Sequence, residues 1–184
     1  MNVLIHVCCG PCLIYPLKEL RAEGHSVTGL FYNPNIHPYT EFKARMSAMD
    51  VYAKDQGLHV VSEMGYDMEE YFRRVAHNES NRCSYCYEMR LRKTAVAASL
   101  EGFDAFTSTL LYSRYQKHDL IVQIANVVAK DIGIKFLYRD FREGWDYGQT
   151  TSRELSIYRQ KYCGCVYSEK ERFLKKPRLS AAPR

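Results

Sequence analysis

Seven cysteines in a 184-residue chain fall into three short groups, Cys8-Cys9-Gly10-Pro11-Cys12, Cys83-Ser84-Tyr85-Cys86 and Cys163-Gly164-Cys165. Thiols at these spacings suit a metal centre or redox chemistry better than a core, where cysteines scatter as small apolar side chains. A disulfide framework fits poorly as well. It calls for an even count and a secretory leader, whereas Met1-Asn2-Val3-Leu4-Ile5-His6-Val7 lacks a basic n-region and its apolar run is too short. The expectation is a cytosolic, cytoplasmic chain, where clustered thiols more often bind metal or carry out catalysis.

The groups differ in the chemistry they invite. Cys83 and Cys86 stand three apart at the expected start of a helix, with Ser80 or Asn81 as candidate caps, so both sulfurs can face one side. A helix N-terminus favours thiolate, the form that binds metal. Cys8 and Cys9 precede a Gly-Pro turn, and two cysteines from each group would complete a four-thiolate site for zinc or an iron–sulfur cluster. An uneven, thiol-only set at a strand end leans toward a cluster, but spacing leaves zinc and metal-free thiol redox open. Cys12 is a fifth thiol in reach; it could ligate a second metal ion, iron or zinc, act as an alternative ligand, or line the pocket. A disulfide between Cys163 and Cys165 would close a small, strained and therefore labile ring, and Gly164 tolerates the distortion. In a cytosolic chain the pair reads as a redox-active dithiol, with two further metal ligands as the alternative.

The elements that must position these groups follow from hydrophobic periodicity. Val3–Val7 reads as a strand ended by the Cys-Cys-Gly-Pro-Cys turn, and Leu13–Glu23 as a helix. Ser26–Tyr32 is a second strand, the segment 33–38 a loop, Tyr39–Gln56 a long helix closed by Gly57, and Leu58–Ser62 a third strand. Two polar helices, Met68–His77 and Cys83–Leu100, then interrupt the rhythm. It resumes with a strand Phe103–Thr107, a helix Leu120–Asp131, a strand Lys135–Tyr138 and a last helix Ser152–Lys161 that delivers the third thiol group. Strands alternating with helices indicate an α/β fold with a parallel sheet, whose ligands bind beyond the carboxyl ends of the strands. The first thiol group, Asn33-Pro34-Asn35 and Ser108-Thr109 should meet at that edge, with the helices carrying Cys83 and Cys86 as a cap. The expected organisation is one α/β catalytic domain, 1–167, with a helical insertion at about 66–100, and a basic, flexible tail, 168–184.

Composition narrows the partners. No apolar run approaches the roughly 20 residues of a membrane span. The formal charge is +5, but Lys170, Arg172, Lys175, Lys176, Arg178 and Arg184 against Glu169 and Glu171 put most of it in the tail. Such a tail either docks on a phosphate backbone or frays in solvent. Of fifteen tyrosines, Tyr85, Tyr87, Tyr112, Tyr115, Tyr158, Tyr162 and Tyr167 sit in or beside the thiol motifs and the 108–118 loop, where rings could stack on a base or shield a cluster.

Five motifs in one order closely resemble the QueH-type, cobalamin-independent epoxyqueuosine reductases. They are Leu4-Ile5-His6-Val7-Cys8-Cys9-Gly10-Pro11-Cys12, the segment from Phe31 to Pro38, Arg82-Cys83-Ser84-Tyr85-Cys86-Tyr87-Glu88-Met89-Arg90-Leu91, the segment from Thr107 to Ser113, and Tyr162-Cys163-Gly164-Cys165. The resemblance spans about residues 3–167. It implies a Rossmann-like sheet of the HUP, adenine-nucleotide-hydrolase-like class and reduction of epoxyqueuosine to queuosine at the tRNA wobble position, the last step of that modification. It also implies a [4Fe-4S] cluster on Cys8, Cys9, Cys83 and Cys86, a redox-active pair at Cys163 and Cys165, and an external electron donor. His6, His37, Tyr112, Tyr115 and Asp119 are candidate proton donors; Lys43, Arg45, Arg73, Arg74, Arg90, Arg92 and Lys93 could meet tRNA phosphates. Two other readings remain at the level of sequence. An ATP-pyrophosphatase-type sulfur-transfer enzyme would need a phosphate loop after strand one, where Pro11 lacks an N–H. A zinc-stabilised RNA-binding module would be non-enzymatic.

Overall fold

Strand β1 (Asn2–His6) buries the apolar run Val3-Leu4-Ile5 on both of its faces, the mark of a central strand in a parallel sheet. The structure, a computed structural model, describes residues 1–62 and 65–174. From β1 the chain passes through α1 (Gly10–Ala22) to β2 (Ser26–Phe31), then through α2 (Tyr39–Asp55) to β3 (Val60–Ser62). It returns through α3 (Met68–Val75) and α4 (Arg82–Leu100) to β4 (Ala105–Ser108) on the other side of β1, and α5 (His118–Ile132) leads to β5 (Lys135–Phe136). All pairs are parallel and the order is β3-β2-β1-β4-β5, a Rossmann-like arrangement. The order reverses at β1, and a crevice opens between β1 and β4 at their carboxyl ends. His6 closes that end of the sheet, in register with Leu30 and Ser108.

Two hydrophobic clusters hold the molecule. The larger lies on the sheet, where α1 packs on α2 and α6 (Trp145–Glu154), and α4 packs on α5, β1 and β4. The smaller joins Tyr71 and Val75 of α3, Cys86 and Met89 of α4, and Cys165 at the start of α7 (Val166–Phe173). It makes a cap of α3, the first turns of α4 and the start of α7, whereas the rest of α4, expected to belong to the cap, is a crossover helix packed on β1 and β4. Phe72 lies face to face with His37 at 4.7 Å, which fastens the cap to the loop after β2.

The helix expected at Ser152–Lys161 is displaced. Helix α6 spans Trp145–Glu154 and stops where Ser156 takes φ 52°, so the third thiol group arrives on an irregular loop. Of the apolar residues in the segment expected to be a later helix, Ile157 reaches the core from the irregular loop, while Leu155 and Tyr158 are exposed. Helix α6 instead packs through small residues, and a Cβ at Gly148 would meet the Tyr112 hydroxyl at 2.3 Å. Helix α7 crosses the boundary placed at 167/168, so residues 168–173 are helical, while 175–184, with Lys175, Lys176, Arg178 and Arg184, lie outside the described residues. No described helix is long and apolar enough to cross a membrane.

Candidate metal centre and thiol site

The first thiol group sits where β1 hands over to α1. Cys9 is the extended N-cap and Pro11 lies in the first turn, where its missing N–H leaves no bond unmade. Gly10 is required by packing, since a Cβ there would stand 2.7 Å from the Ala48 carbonyl oxygen of α2. The turn brings the sulfurs of Cys8, Cys9 and Cys12 within 4.8 Å of one another, all buried, a group that could hold a metal ion. Cys8 and Cys9 sulfurs are 3.7 Å apart. Donors surround the trio: the Thr109 hydroxyl reaches Cys8 Sγ at 3.3 Å, and the Gln160 amide reaches Cys9 Sγ at 3.0 Å and Cys12 Sγ at 3.3 Å. Hydrogen bonds from Cys12 and Cys9 hold the Cys8 thiol well below its usual range. Burial pushes Cys9 up, and its bond to Cys8 pushes Cys12 up. Within the trio, Cys8 is therefore the thiol that its neighbours favour as thiolate.

His6 ties the strand ends together, with Nδ1 3.1 Å from Ser108 Oγ and Nε2 3.1 Å from the Tyr32 carbonyl. Burial and the nearby Arg90 lower it to about 4, so it is neutral at pH 7; because a carbonyl only accepts, Nε2 carries the proton. His37 is also lowered by burial, with Nε2 donating to the Pro34 carbonyl at 3.1 Å. Both histidines serve as cross-links in this arrangement.

The remaining thiols lie on the cap side. Cys83 and Cys86 occupy the first turns of α4, and Cys86 Sγ accepts from Arg90 Nη2 at 3.0 Å. Burial pushes the Cys86 thiol up to about 12. Arg90 is only 2% exposed, pairs with no carboxylate among the described residues, and lies within electrostatic reach of Cys86, Cys163 and Cys8. A buried guanidinium needs a negative partner, and the groups around it that could supply one are the sulfurs of Cys86, Cys163 and Cys8.

Cys163 and Cys165 belong to a loop clamped from below. Arg45, 1% exposed, donates to the carbonyls of Cys163 at 2.9 Å and Tyr162 at 3.0 Å while its Nε bonds Glu41 at 2.8 Å. The His37 N–H donates to the Gly164 carbonyl at 2.8 Å, and the Tyr162 hydroxyl donates back to the His37 carbonyl. Gly164 has φ 146°, and a Cβ would meet Asn35 Nδ2 at 3.1 Å, so the motif tolerates little else between its cysteines. Cys163 is exposed at its surface although neighbouring atoms crowd its sulfur, and that crowding pushes its thiol up. Its sulfur accepts from the Gln116 amide at 3.2 Å. Cys165 is buried and caps α7, accepting from the Ser168 N–H at 3.4 Å. All seven cysteines are free thiols.

The structure therefore brings Cys8 and Cys9 together with Cys12, and sets Cys83 and Cys86 beside the dithiol loop and Arg90. Arg45 and Arg90 are not phosphate contacts: both are buried and hold the site. Arg74 is paired with Glu70 and Glu88, and Arg92 with Glu88 and Asp131. The roles of Gln116, Gln160 and Arg45 carried no sequence signal, since such residues on helices and loops are ordinarily solvated, and Arg90 lay within a recognised motif without any sign that it is buried. Thr109 lay within a recognised motif.

Comparisons with known proteins point to one family. The model of the family "Epoxyqueuosine reductase QueH" matches residues 3–171. A curated relative named epoxyqueuosine reductase QueH from Dehalococcoides mccartyi is 41% identical, covering 94% of each chain. Another of that name, from Thermotoga maritima, is 37% identical over 97% of this chain and 96% of its own. A solved structure described as a predicted subunit of tRNA methyltransferase from Methanocaldococcus jannaschii superposes with a TM-score of 0.57 at 13% identity, covering 84% of this chain and 75% of that one. That likeness bears on the fold alone.

Proposed function

The chain belongs to the epoxyqueuosine reductase QueH family, and from that premise we propose that it reduces epoxyqueuosine to queuosine in tRNA, in the cytoplasm. The observation that carries the reading is the match across residues 3–171, a range that includes all seven cysteines, three of which, Cys8, Cys9 and Cys12, form a buried group able to hold a metal.

The donor set fits a [4Fe-4S] cluster on Cys8, Cys9, Cys83 and Cys86. Buried sulfurs, N–H and O–H donors aimed at them, and a buried arginine without a carboxylate all favour an anionic thiolate centre. Cys12 is close enough to act as an alternative ligand or to help hold a second iron or zinc ion. When bound, such a cluster supplies single electrons and a Lewis-acidic iron.

The chain's own residues do the rest. Removing the epoxide oxygen as water and leaving an alkene takes two electrons and two protons. Cys163 and Cys165 supply both as they pass from two thiols to one disulfide, and an external reductant restores them. Exposure of Cys163 gives that reductant access, while the buried Cys165 is the partner on the same loop. Gln116 holds the Cys163 sulfur, and Arg45 and His37 hold the loop beneath it.

The test is anaerobic purification, metal analysis and incubation with epoxyqueuosine-containing tRNA and a chemical reductant. A brown, iron-containing protein that forms queuosine without ATP is the expected result. A colourless protein with stoichiometric zinc and no conversion would overturn the reading.

A further inference from the structure

We propose that Tyr115, backed by Trp145 and Arg114, is a stacking platform for an unpaired base of the tRNA anticodon loop beside the modified nucleotide. The proposal rests on the reading above that this site acts on tRNA.

Tyr115 is 84% exposed, the most exposed aromatic side chain among the described residues. Packing does not explain such a ring, although single exposed tyrosines are common. Its placement adds the argument. Trp145 carries it from below, with ring centroids 5.4 Å apart at 80°, and the fully buried Tyr112 is stacked under Trp145 at 5.3 Å. The Tyr112 hydroxyl donates to the Trp145 carbonyl at 3.1 Å. Three rings thus run from core to solvent, and the outermost is held in place by the inner two.

The platform adjoins the chemistry. Gln116, the next residue, donates to Cys163 Sγ and accepts from the Tyr87 hydroxyl at 2.7 Å, which fixes the loop against the reactive sulfur. Tyr115 is one residue, about 3.8 Å of backbone, from the Gln116 that touches Cys163, which puts its ring within reach of the nucleotides flanking one held at that sulfur. Unpaired bases in RNA loops are gripped by stacking on tyrosine and arginine. Arg114 stands 5.8 Å from the Trp145 ring and pairs loosely with the exposed Asp146 at 3.7 Å, so it can turn to a base or phosphate. Lys117, also exposed, adds positive charge. These cations favour RNA over a protein reductant as the occupant.

Trp145 is the chain's single tryptophan, so its fluorescence reports on the platform directly. The iron-loaded protein is titrated anaerobically with a short anticodon stem-loop RNA carrying unmodified guanosine at the wobble position, with the anisotropy of labelled RNA as a second readout. Saturable quenching of Trp145 is expected. Tyr115→Ala should weaken binding about 5- to 150-fold and raise KM for tRNA, and Tyr115→Phe should restore the affinity. A Tyr115→Ala affinity within about twofold of the parent overturns the proposal, even if that variant loses reduction by a protein dithiol donor, which would assign the loop to the reductant. A parent protein that binds no stem-loop would sink the tRNA reading itself.

Discussion

Cys9 and Cys163 each accept a hydrogen bond from a glutamine amide, Gln160 in one case and Gln116 in the other, yet Cys9 is shut away from water and Cys163 is open to it. Cys9 sits between the end of a central strand and the first turn of a helix, on backbone that Gly10 presses against α2. Cys163 sits on an irregular loop whose position depends on Arg45 and a few carbonyls. The contrast separates two requirements. A metal centre needs sulfurs fixed by regular structure in a dry crevice, whereas a dithiol that meets an external partner needs one accessible sulfur on a segment able to change geometry. Arg90, in electrostatic reach of Cys8, Cys86 and Cys163, links the two halves.

The largest effects should come from the fixed half. Cys8→Ser or Cys9→Ser should abolish the visible chromophore and lower activity by more than the roughly 10–100-fold that outer-shell changes cost. Iron content and absorbance measure this; normal iron in both variants would remove these residues from the ligand set. In the loop half, Cys163→Ser should leave iron and colour intact, yet stop turnover after the electrons already stored are used. Unchanged steady-state queuosine formation would break the contrast.

Arg45→Met should loosen the loop without displacing the strand-end sulfurs. It removes the cation from the nearly buried Glu41 carboxylate, which keeps the Tyr158 hydroxyl, and the donor from two carbonyls, a loss of about 3 kcal/mol by chemical denaturation. Alkylation of Cys163 should accelerate in this variant. In the parent protein, the crowding that raises the Cys163 thiol means less thiolate at neutral pH. Its labelling by iodoacetamide should therefore keep rising with pH beyond 9, the ordinary thiol value, rather than level off there.

The same division governs what could be read from the sequence. The strand-end half was legible: Val3 to Val7, the Gly-Pro turn and the apolar spacing of α1 declare strand, turn and helix locally, and the parallel order then brings Ser108-Thr109 alongside. The loop half was not. Helix α6, Trp-Asp-Tyr-Gly-Gln-Thr-Thr-Ser-Arg-Glu, buries Gly148 and Ser152, small residues that leave no apolar stripe, while Leu155 and Tyr158 mimic one in solvent. Helix α7 buries no side chain fully, so from residue 168 onward it reads in sequence as tail, and its place depends on the cap. Arg45 and Arg90 read as solvated charges since nothing local announces a buried guanidinium. Cys12 was recognised as in reach, but its approach within 4.8 Å of both neighbours is set by the tightness of the α1 turn.

The smallest effect tests whether the two amides do different work. Gln160→Leu removes the donors to Cys9 and Cys12, which stabilise sulfur more as negative charge builds up on reduction. Its Oε1 is buried without a partner, so the leucine also removes an unsatisfied acceptor and stability should change little. For one electron, loss of about 1 kcal/mol of hydrogen bonding corresponds to roughly 40 mV, so the midpoint potential of the loaded centre should fall by that order. Gln116→Leu touches Cys163 only and should leave that potential where it was, while speeding or slowing alkylation of Cys163. Redox titration followed by electron paramagnetic resonance separates the cases. Equal shifts in the two variants would mean that the dithiol loop and the metal centre form one electrostatic unit, with Arg90 rather than the glutamines setting the potential of both.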